Sequence, residues 1–100
     1  MNARIEEIEG KRIATLEGEM DTAAAAEAEE VLKTLYQSNG NDVIIDCTRL
    51  EYIASSGLRI LLGILKATKA GGNKVVLRGV NEDIKNVLNL TGFISIFEFE

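Results

Sequence analysis

The sequence contains no histidine and no tryptophan, and its only cysteine is Cys47. Without histidine, the chain cannot form a Ser-His-Asp or Cys-His catalytic arrangement, and it lacks the commonest ligand of transition metals. One cysteine can form neither an internal disulfide nor a structural zinc site. A glycine-rich phosphate loop ending in Lys-Ser or Lys-Thr is also missing. These absences predict a protein that is not an enzyme and that binds no metal or cofactor.

Long apolar runs and an excess of positive charge are missing as well. No apolar stretch approaches the ~20 residues that a membrane span needs, and the N-terminus does not resemble a signal peptide. The formal net charge of −5 repels phosphate backbones. A single cysteine is typical of a reducing compartment. We therefore expect a cytoplasmic protein that contacts neither a membrane nor nucleic acid directly.

The sequence does have enough apolar mass for one core. Of its 100 residues, 46% are hydrophobic and only 5% are aromatic. This composition predicts a single domain over residues 1–100 with an interior of Leu, Ile, Val and Ala.

The hydrophobic pattern changes its period along the chain and predicts an α/β fold. Alternating segments on both sides of Gly10-Lys11 predict a β-hairpin, Arg4–Glu9 with Arg12–Glu17. A helix is expected from about Thr22, capped by Asp21 or Thr22 and ended by Ser38–Asn41. A buried strand at Val43–Ile45, a helix from about Ser56 to Ala70 and a strand at Lys74–Arg78 should follow. The chain then has a helix capped by Asn81 and a last strand with Phe97 and Phe99 on one face. The predicted order is β-β-α-β-α-β-α-β. The hairpin adds antiparallel pairing at one side of an otherwise parallel sheet, so we expect a mixed sheet of four to five strands packed by about three helices.

The stretch from Asp46 to Arg59 carries the most functional information. It is predicted to leave a buried strand, cross a short loop and enter an apolar helix at Ser55-Ser56-Gly57. The first N–H groups of a helix have no intrahelical partner, so an anion at that point is stabilised by those donors and by the helix dipole. A phosphoserine would add about −1.5 to −2 charge there at neutral pH.

Local pattern alone leaves simpler alternatives open at this position. A serine before a helix often serves only as its N-cap, although one hydroxyl is enough for that role and two are present. Gly57 is a poor helix former, costing about 1 kcal/mol relative to alanine in a helix interior. Close approach by a partner or tight packing on the sheet would each explain it. Similarly, Asp46 and Thr48 are expected to be turn-forming side chains at a strand exit, and Cys47 a small buried residue.

Five short motifs, spaced along essentially the whole chain, carry a resemblance to one protein family. They are Gly18-Glu19-Met20-Asp21, Asp46-x-Thr48, Tyr52-Ile53-x-Ser55-Ser56-Gly57-Leu58, Lys69-x-Gly71-Gly72 and Leu90-Thr91-Gly92-Phe93. In this order and spacing the sequence resembles the STAS family, specifically the small anti-sigma factor antagonists (anti-anti-sigma factors) of bacterial partner-switching systems. The resemblance implies a STAS-like α/β fold.

The resemblance also implies a mechanism. An unphosphorylated antagonist binds an anti-sigma factor that is also a serine kinase, and the sigma factor is released to direct transcription. The kinase then phosphorylates the antagonist, which dissociates, and a PP2C-type phosphatase resets it. The free antagonist is expected to be a monomer.

The family pattern assigns candidate roles to individual residues. Ser55 matches the phosphoacceptor, with Ser56 as the fallback. The expected partner-binding residues are Asp21, Ala54, Ser56, Gly57, Leu58 and Arg59. Ala54 departs from the family, which has Asp at this place. The surface around Ser55 therefore starts less negative, and phosphorylation changes it by a larger relative amount.

Two other functions are considered beside this one. A STAS module that is not phosphorylated could sense a ligand or take part in an assembly, and the substitution at Ala54 keeps that alternative open. An enzyme with Ser55 as nucleophile would lack a histidine base.

Overall fold

The chain forms the predicted order of strands and helices. In the computed structural model, which describes residues 1–37 and 39–100, there are five strands and three α-helices. Their bounds are β1 Asn2–Ile8, β2 Lys11–Met20, α1 Thr22–Leu32, β3 Val43–Ile53, α2 Ser55–Ala70, β4 Val75–Arg78, α3 Glu82–Leu90 and β5 Glu98–Phe99. Two 3₁₀ turns, Lys33–Tyr36 and Phe93–Ser95, follow α1 and α3. Ser38, predicted within the turn that ends the first helix, lies outside the described residues.

The five strands form one mixed sheet in the spatial order β1-β2-β3-β4-β5. β1 pairs with β2 in antiparallel fashion, and every later pair is parallel, which confirms the predicted hairpin and crossovers. β3 is the central strand, and Val43, Ile44 and Ile45 are all buried in it, as their unbroken apolar run predicts.

The hairpin turn lies one residue earlier than predicted. Ile8 pairs with Lys11, so the two-residue turn is Glu9-Gly10 and the prediction of Gly10-Lys11 is wrong. Both turn residues have positive φ, 51° for Glu9 and 76° for Gly10. A type I′ turn needs this conformation at both central positions because its twist then matches that of the strands. Glycine adopts it freely, which anchors the turn at Gly10.

β2 and β3 are both longer than their hydrophobic patterns predict. β2 continues to Met20 and β3 to Ile53, so the loop expected before α2 is reduced to Ala54. The two extensions pair with each other, including Met20 with Ile53. Backbone pairing holds these polar segments extended, and two register shifts interrupt the side-chain alternation by which a strand is recognised.

α1 begins at a side-chain cap. The Ala24 N–H donates to Asp21 Oδ1 at 2.8 Å, which makes Asp21 the N-cap and rules out Thr22. The cap satisfies one of the amides that a helix start leaves without a partner. Asp21 therefore joins the end of β2 directly to α1.

α2 packs on the sheet through an unusually close contact at its first turn. A Cβ atom at Gly57 would lie 2.6 Å from Met20 Sδ and 2.7 Å from Ile53 Cγ1, which are the last residues of β2 and β3. Only glycine allows the helix start to come this close to the strand ends. Tight packing on the sheet thus accounts for Gly57. The rest of the helix buries a broad apolar face: Leu58, Ile60, Leu61, Ile64, Leu65 and Thr68.

Gly57→Ala should lower the free energy of unfolding by about 1–2 kcal/mol, because the added methyl overlaps Ile53 and the gain in helix propensity offsets only part of that cost. Urea unfolding measures the change. Gly63→Ala is the matched control in the same helix: its nearest contact would be the ring of half-buried Tyr36 at 2.9 Å, and because Tyr36 lies in a 3₁₀ turn rather than in the sheet, it can shift at a smaller cost. An unchanged midpoint for Gly57→Ala would contradict the packing argument.

Asp21→Ala should lower stability by about 1 kcal/mol, because the first turn of α1 loses its side-chain acceptor. Asp21→Asn keeps an acceptor oxygen and should unfold close to the parent chain. Thermal or urea unfolding compares the two variants. Equal losses in both would show that the charge of Asp21, rather than its capping bond, stabilises the domain.

Candidate functional site

Two helices start side by side at one edge of the sheet. β2 and β3 are parallel, so their carboxyl ends meet, and the Ala54 N–H donates to the Met20 carbonyl at 2.8 Å. α1 follows β2 through Asp21, and α2 follows β3 through Ala54. Asp21 and Ser55, far apart in the sequence, are therefore brought to the same edge. Ligands and partners of parallel sheets commonly meet the protein at such an edge.

Ala54 is the N-cap of α2, so neither serine caps the helix. Its backbone is extended (φ −82°, ψ 168°), and its carbonyl accepts from the N–H groups of Gly57 and Leu58 at 2.9 and 3.1 Å. Alanine supplies no side-chain acceptor to the first turn. Ser55 and Ser56 are the first two helical residues, and the capping interpretation of these serines is wrong.

The two hydroxyl groups differ sharply in access. Ser55 is exposed. Ser56 is half-buried, and its Oγ atom is buried with no hydrogen-bond partner in the part of the chain that the structure describes. A modifying enzyme must bring its reacting group to the oxygen itself. Ser55 is therefore the serine that another protein can reach without a change of this structure.

Two shallow grooves lie on either side of the start of α2. One, of about 260 Å³, runs between α2 and the turn after α3, and apolar atoms form most of its surface; its lining residues are Ser55, Leu58, Arg59, Leu62, Thr91 and Phe93. The other, of about 240 Å³, lies between α1 and α2, and Glu29, Tyr36, Ser56 and Arg59 are among its lining residues. Arg59 borders both grooves and so stands on the ridge between them.

The charged groups around this edge differ in whether they are already paired. The Asp21 carboxylate accepts the capping bond, and Glu29 Oε2 accepts from the Tyr36 hydroxyl at 2.8 Å. Burial, together with that bond, raises the pKa of Tyr36 to about 12, so its hydroxyl keeps its proton and its bond to Glu29 well into the alkaline range. Arg59 is exposed and makes no hydrogen bond or ion pair with any of the described residues. Among the described residues, its guanidinium is therefore a free cation that lines the same groove as Ser55.

The predicted partner-binding residues do not all reach the surface. Asp21 and Arg59 are exposed, and Ala54 and Ser56 are half-buried. Gly57 is buried against the strand ends, and Leu58 is only 4% exposed at the floor of the apolar groove. These last two residues position the helix start from below. A contact of either one with a partner stays a prediction.

Sequence reasoning missed Tyr52 as a surface residue. Its side chain is 49% exposed on β3, two residues before Ala54, and it pairs with Glu19 of β2. An exposed aromatic side chain is typical of the residues that contribute most to a protein–protein interface. Tyr52 is the first residue of the motif Tyr52-Ile53-x-Ser55-Ser56-Gly57-Leu58. Because β3 was expected to end at Ile45, the sequence pattern did not indicate which way the Tyr52 side chain faces.

The conspicuous residues at the middle of β3 have structural roles. Asp46 Oδ1 accepts from the Thr48 N–H at 3.0 Å and from its hydroxyl at 2.6 Å. Both residues lie inside β3, next to a register shift, and their expected place at a strand exit is wrong. Cys47 is 2% exposed, and burial raises the pKa of its thiol to about 12, so the prediction of a small buried residue is confirmed.

Two features are missing from the described residues, 1–37 and 39–100. None of their helices has the length and apolar character needed to cross a membrane. They also contain no cluster of three or more His, Cys, Asp or Glu side chains arranged to hold a metal ion.

Comparison with known proteins agrees with the predicted family. The profile of the family described as "STAS domain" matches residues 2–100. BtrV of Bordetella bronchiseptica is 32% identical over 97 residues, which cover 97% of this chain and 84% of BtrV. The anti-sigma-B factor antagonist of Staphylococcus epidermidis is 33% identical over 75 residues, which cover 75% of this chain and 69% of that protein.

A solved structure shares the whole fold. The anti-sigma factor antagonist SpoIIAA in its unphosphorylated form has a TM-score of 0.80 with this chain, at 19% sequence identity, over 99% of this chain and 88% of SpoIIAA. The predicted STAS-like sheet with its three helices is thereby confirmed. From the match of its sequence and the likeness of its fold, this chain belongs to the STAS domain family.

Proposed function

We propose that this chain is an anti-sigma factor antagonist that works as a phosphorylation switch. In its unphosphorylated form it binds an anti-sigma factor that is also a serine kinase, and the sigma factor is released to direct transcription. The observation that carries the proposal is the exposed Ser55 at the start of α2, next to a Ser56 whose hydroxyl is buried. The kinship with the Staphylococcus epidermidis antagonist supports an anti-sigma factor as partner.

The chemistry at Ser55 follows from its position. Phosphoryl transfer from ATP forms a bond between Ser55 Oγ and the γ-phosphorus, breaks the bond to ADP, and passes the hydroxyl proton to a base of the kinase. The product carries about −1.5 to −2 charge at the N-terminus of a helix. Ala54 leaves that terminus without a side-chain acceptor, so the phosphate is well tolerated by the domain itself.

The phosphate releases the partner by changing the surface of this chain that the partner contacts, which we call the docking surface. We propose that this surface consists of Asp21, Ala54, Ser56 and Arg59 around Ser55, with Gly57 and Leu58 supporting it from below. A partner that fits the small neutral serine must accommodate a dianion once Ser55 is phosphorylated. Desolvation and like-charge repulsion then weaken the complex. In this proposal a PP2C-type phosphatase removes the phosphate and restores the serine. The protein works in the cytoplasm, and the free chain is a monomer.

One observation favours a second candidate, a STAS module that binds a ligand without phosphorylation. The Ser56 hydroxyl is buried, has no partner among the described residues, and borders the groove between α1 and α2. A small polar ligand in that groove could supply the missing hydrogen bond. Ala54 in place of the family's Asp is compatible with this alternative.

Incubation with ATP and each anti-sigma factor kinase of the same genome should add one phosphate, and mass spectrometry of peptides should place it on Ser55. Ser55→Ala should abolish the modification, whereas Ser56→Ala should retain it because the Ser56 hydroxyl is buried. Phosphate on neither serine, with a kinase that is active and binds the chain, would refute the switch. A small molecule retained in the native mass spectrum would then favour the ligand-binding module.

Ser55→Asp should weaken binding to the kinase at least tenfold, or by about 1.4 kcal/mol, because it places a permanent charge at the docking surface. Ser55→Ala should bind as the parent chain does. Isothermal titration calorimetry measures both. Asn86→Asp, which adds the same charge at an exposed position of α3, is the control for net charge and should have no effect. Equal affinities of the two Ser55 variants would contradict the proposal.

A further inference from the structure

We propose that the phosphate on Ser55 is bound by Arg59 of the same helix, so that phosphorylation adds a dianion and at the same time removes a free guanidinium from the docking surface. This inference rests on the proposed phosphorylation of Ser55. It identifies the side chain of this chain that binds the phosphate once Ser55 carries it, and it identifies the chemistry of the partner that the unphosphorylated chain can bind.

The spacing of the two residues places them on one face of α2. Ser55 is the first residue of the helix, and Arg59 follows four positions later, which is about one turn. Side chains on a helix lean toward its N-terminus, so Arg59 leans toward the turn that holds Ser55. Both residues are exposed, and both line the same apolar groove with Leu58, Leu62 and Phe93. A long arginine side chain can lie along this groove and still present its guanidinium to solvent.

Arg59 can bind a phosphate without giving up an existing interaction. It has no hydrogen bond or ion pair within residues 1–37 and 39–100. In contrast, Arg4 pairs with Glu17 at 3.2 Å and Arg78 with Glu100 at 3.1 Å. A guanidinium can donate two parallel hydrogen bonds to a phosphate, which makes such a pair stronger than one with a single point charge.

Within the described residues, neither neighbouring acid pairs with Arg59. Glu29 lies across the groove between α1 and α2, where its carboxylate accepts from the Tyr36 hydroxyl. Asp21 accepts the capping bond of α1. At the N-cap of α2, Ala54 carries no carboxylate that would repel a phosphate or bind Arg59 itself. The phosphate therefore has the open helix terminus on one side and a free cation on the other.

The pairing changes what the surface offers to a partner. Before phosphorylation, Arg59 is an exposed, unpaired cation on the ridge between two grooves, and it suits an acidic side chain of the partner. After phosphorylation, the same guanidinium is neutralised within the chain. The partner thus loses an attractive contact at the moment when it meets a new negative charge.

The test uses a chain with phosphoserine installed at position 55 during translation, so that neither kinase nor partner is needed. A ³¹P NMR titration should give a second phosphate pKa that is lower by about half a unit in the parent chain than in Arg59→Gln. The phosphate pKa in Arg59→Lys should lie between these two values, because lysine keeps the positive charge but cannot donate two parallel hydrogen bonds to the phosphate. Lys66→Gln is the control, since it removes an exposed cation that lies about three turns of α2 away from Ser55 and should leave the titration unchanged.

A second readout follows Arg59 directly. In the phosphorylated parent chain its Nε–H resonance should move with the titration of the phosphate, whereas in the chain with unmodified Ser55 it should not. Equal phosphate pKa values in the parent and in Arg59→Gln, or an equal change in Lys66→Gln, would overturn the pairing. The two proposals can fail separately. If no kinase modifies Ser55, the titration still tests the pairing with Arg59, because the phosphoserine is installed during translation. If the pairing with Arg59 is absent, mass spectrometry still tests whether a kinase phosphorylates Ser55.

Discussion

The close contact between the first turn of α2 and the ends of β2 and β3 is the constraint on which the functional edge depends. Gly57 lets the helix start lie directly over Met20 and Ile53, which pair with each other across the two strands. The Ala54 N–H continues this pairing to the Met20 carbonyl. As a result, the one residue between β3 and α2, Ala54, is itself bonded to the end of β2. The first helical residues are held in place by the rigid part of the fold.

This constraint separates two serines that are adjacent in the sequence. Consecutive residues of a helix point about 100° apart, so a helix seated on the sheet directs one hydroxyl outward and the next inward. Ser55 faces solvent, and the Oγ atom of Ser56 is buried. The same geometry carries Arg59 back to the face of Ser55 one turn later. A surface suited to a reversible charge change thus follows from the direction in which a rigid helix begins.

Sequence reasoning succeeded where side-chain patterns reflect local structure. It failed where backbone pairing between distant segments determines the length of a strand. The helical spacing of α2 and the apolar run at Val43–Ile45 predicted their burial correctly. The extensions of β2 and β3 were missed because polar residues in them are held extended by the neighbouring strand and by register shifts. Arg12 shows the same limit: an alternating strand pattern gives no sign that this arginine is buried and donates to the Thr34 and Gln37 carbonyls at 3.2 and 3.1 Å.

The sequence by itself determined the order of the elements, the family and the pair of serines at the start of the central helix, because composition, periodicity and short motifs are properties of neighbouring residues. Only the tertiary structure decided which serine is accessible, why Gly57 is needed and which cation near Ser55 is unpaired. Burial and hydrogen bonding of a side chain depend on residues that are distant in sequence, here the ends of two strands that meet beneath one helix.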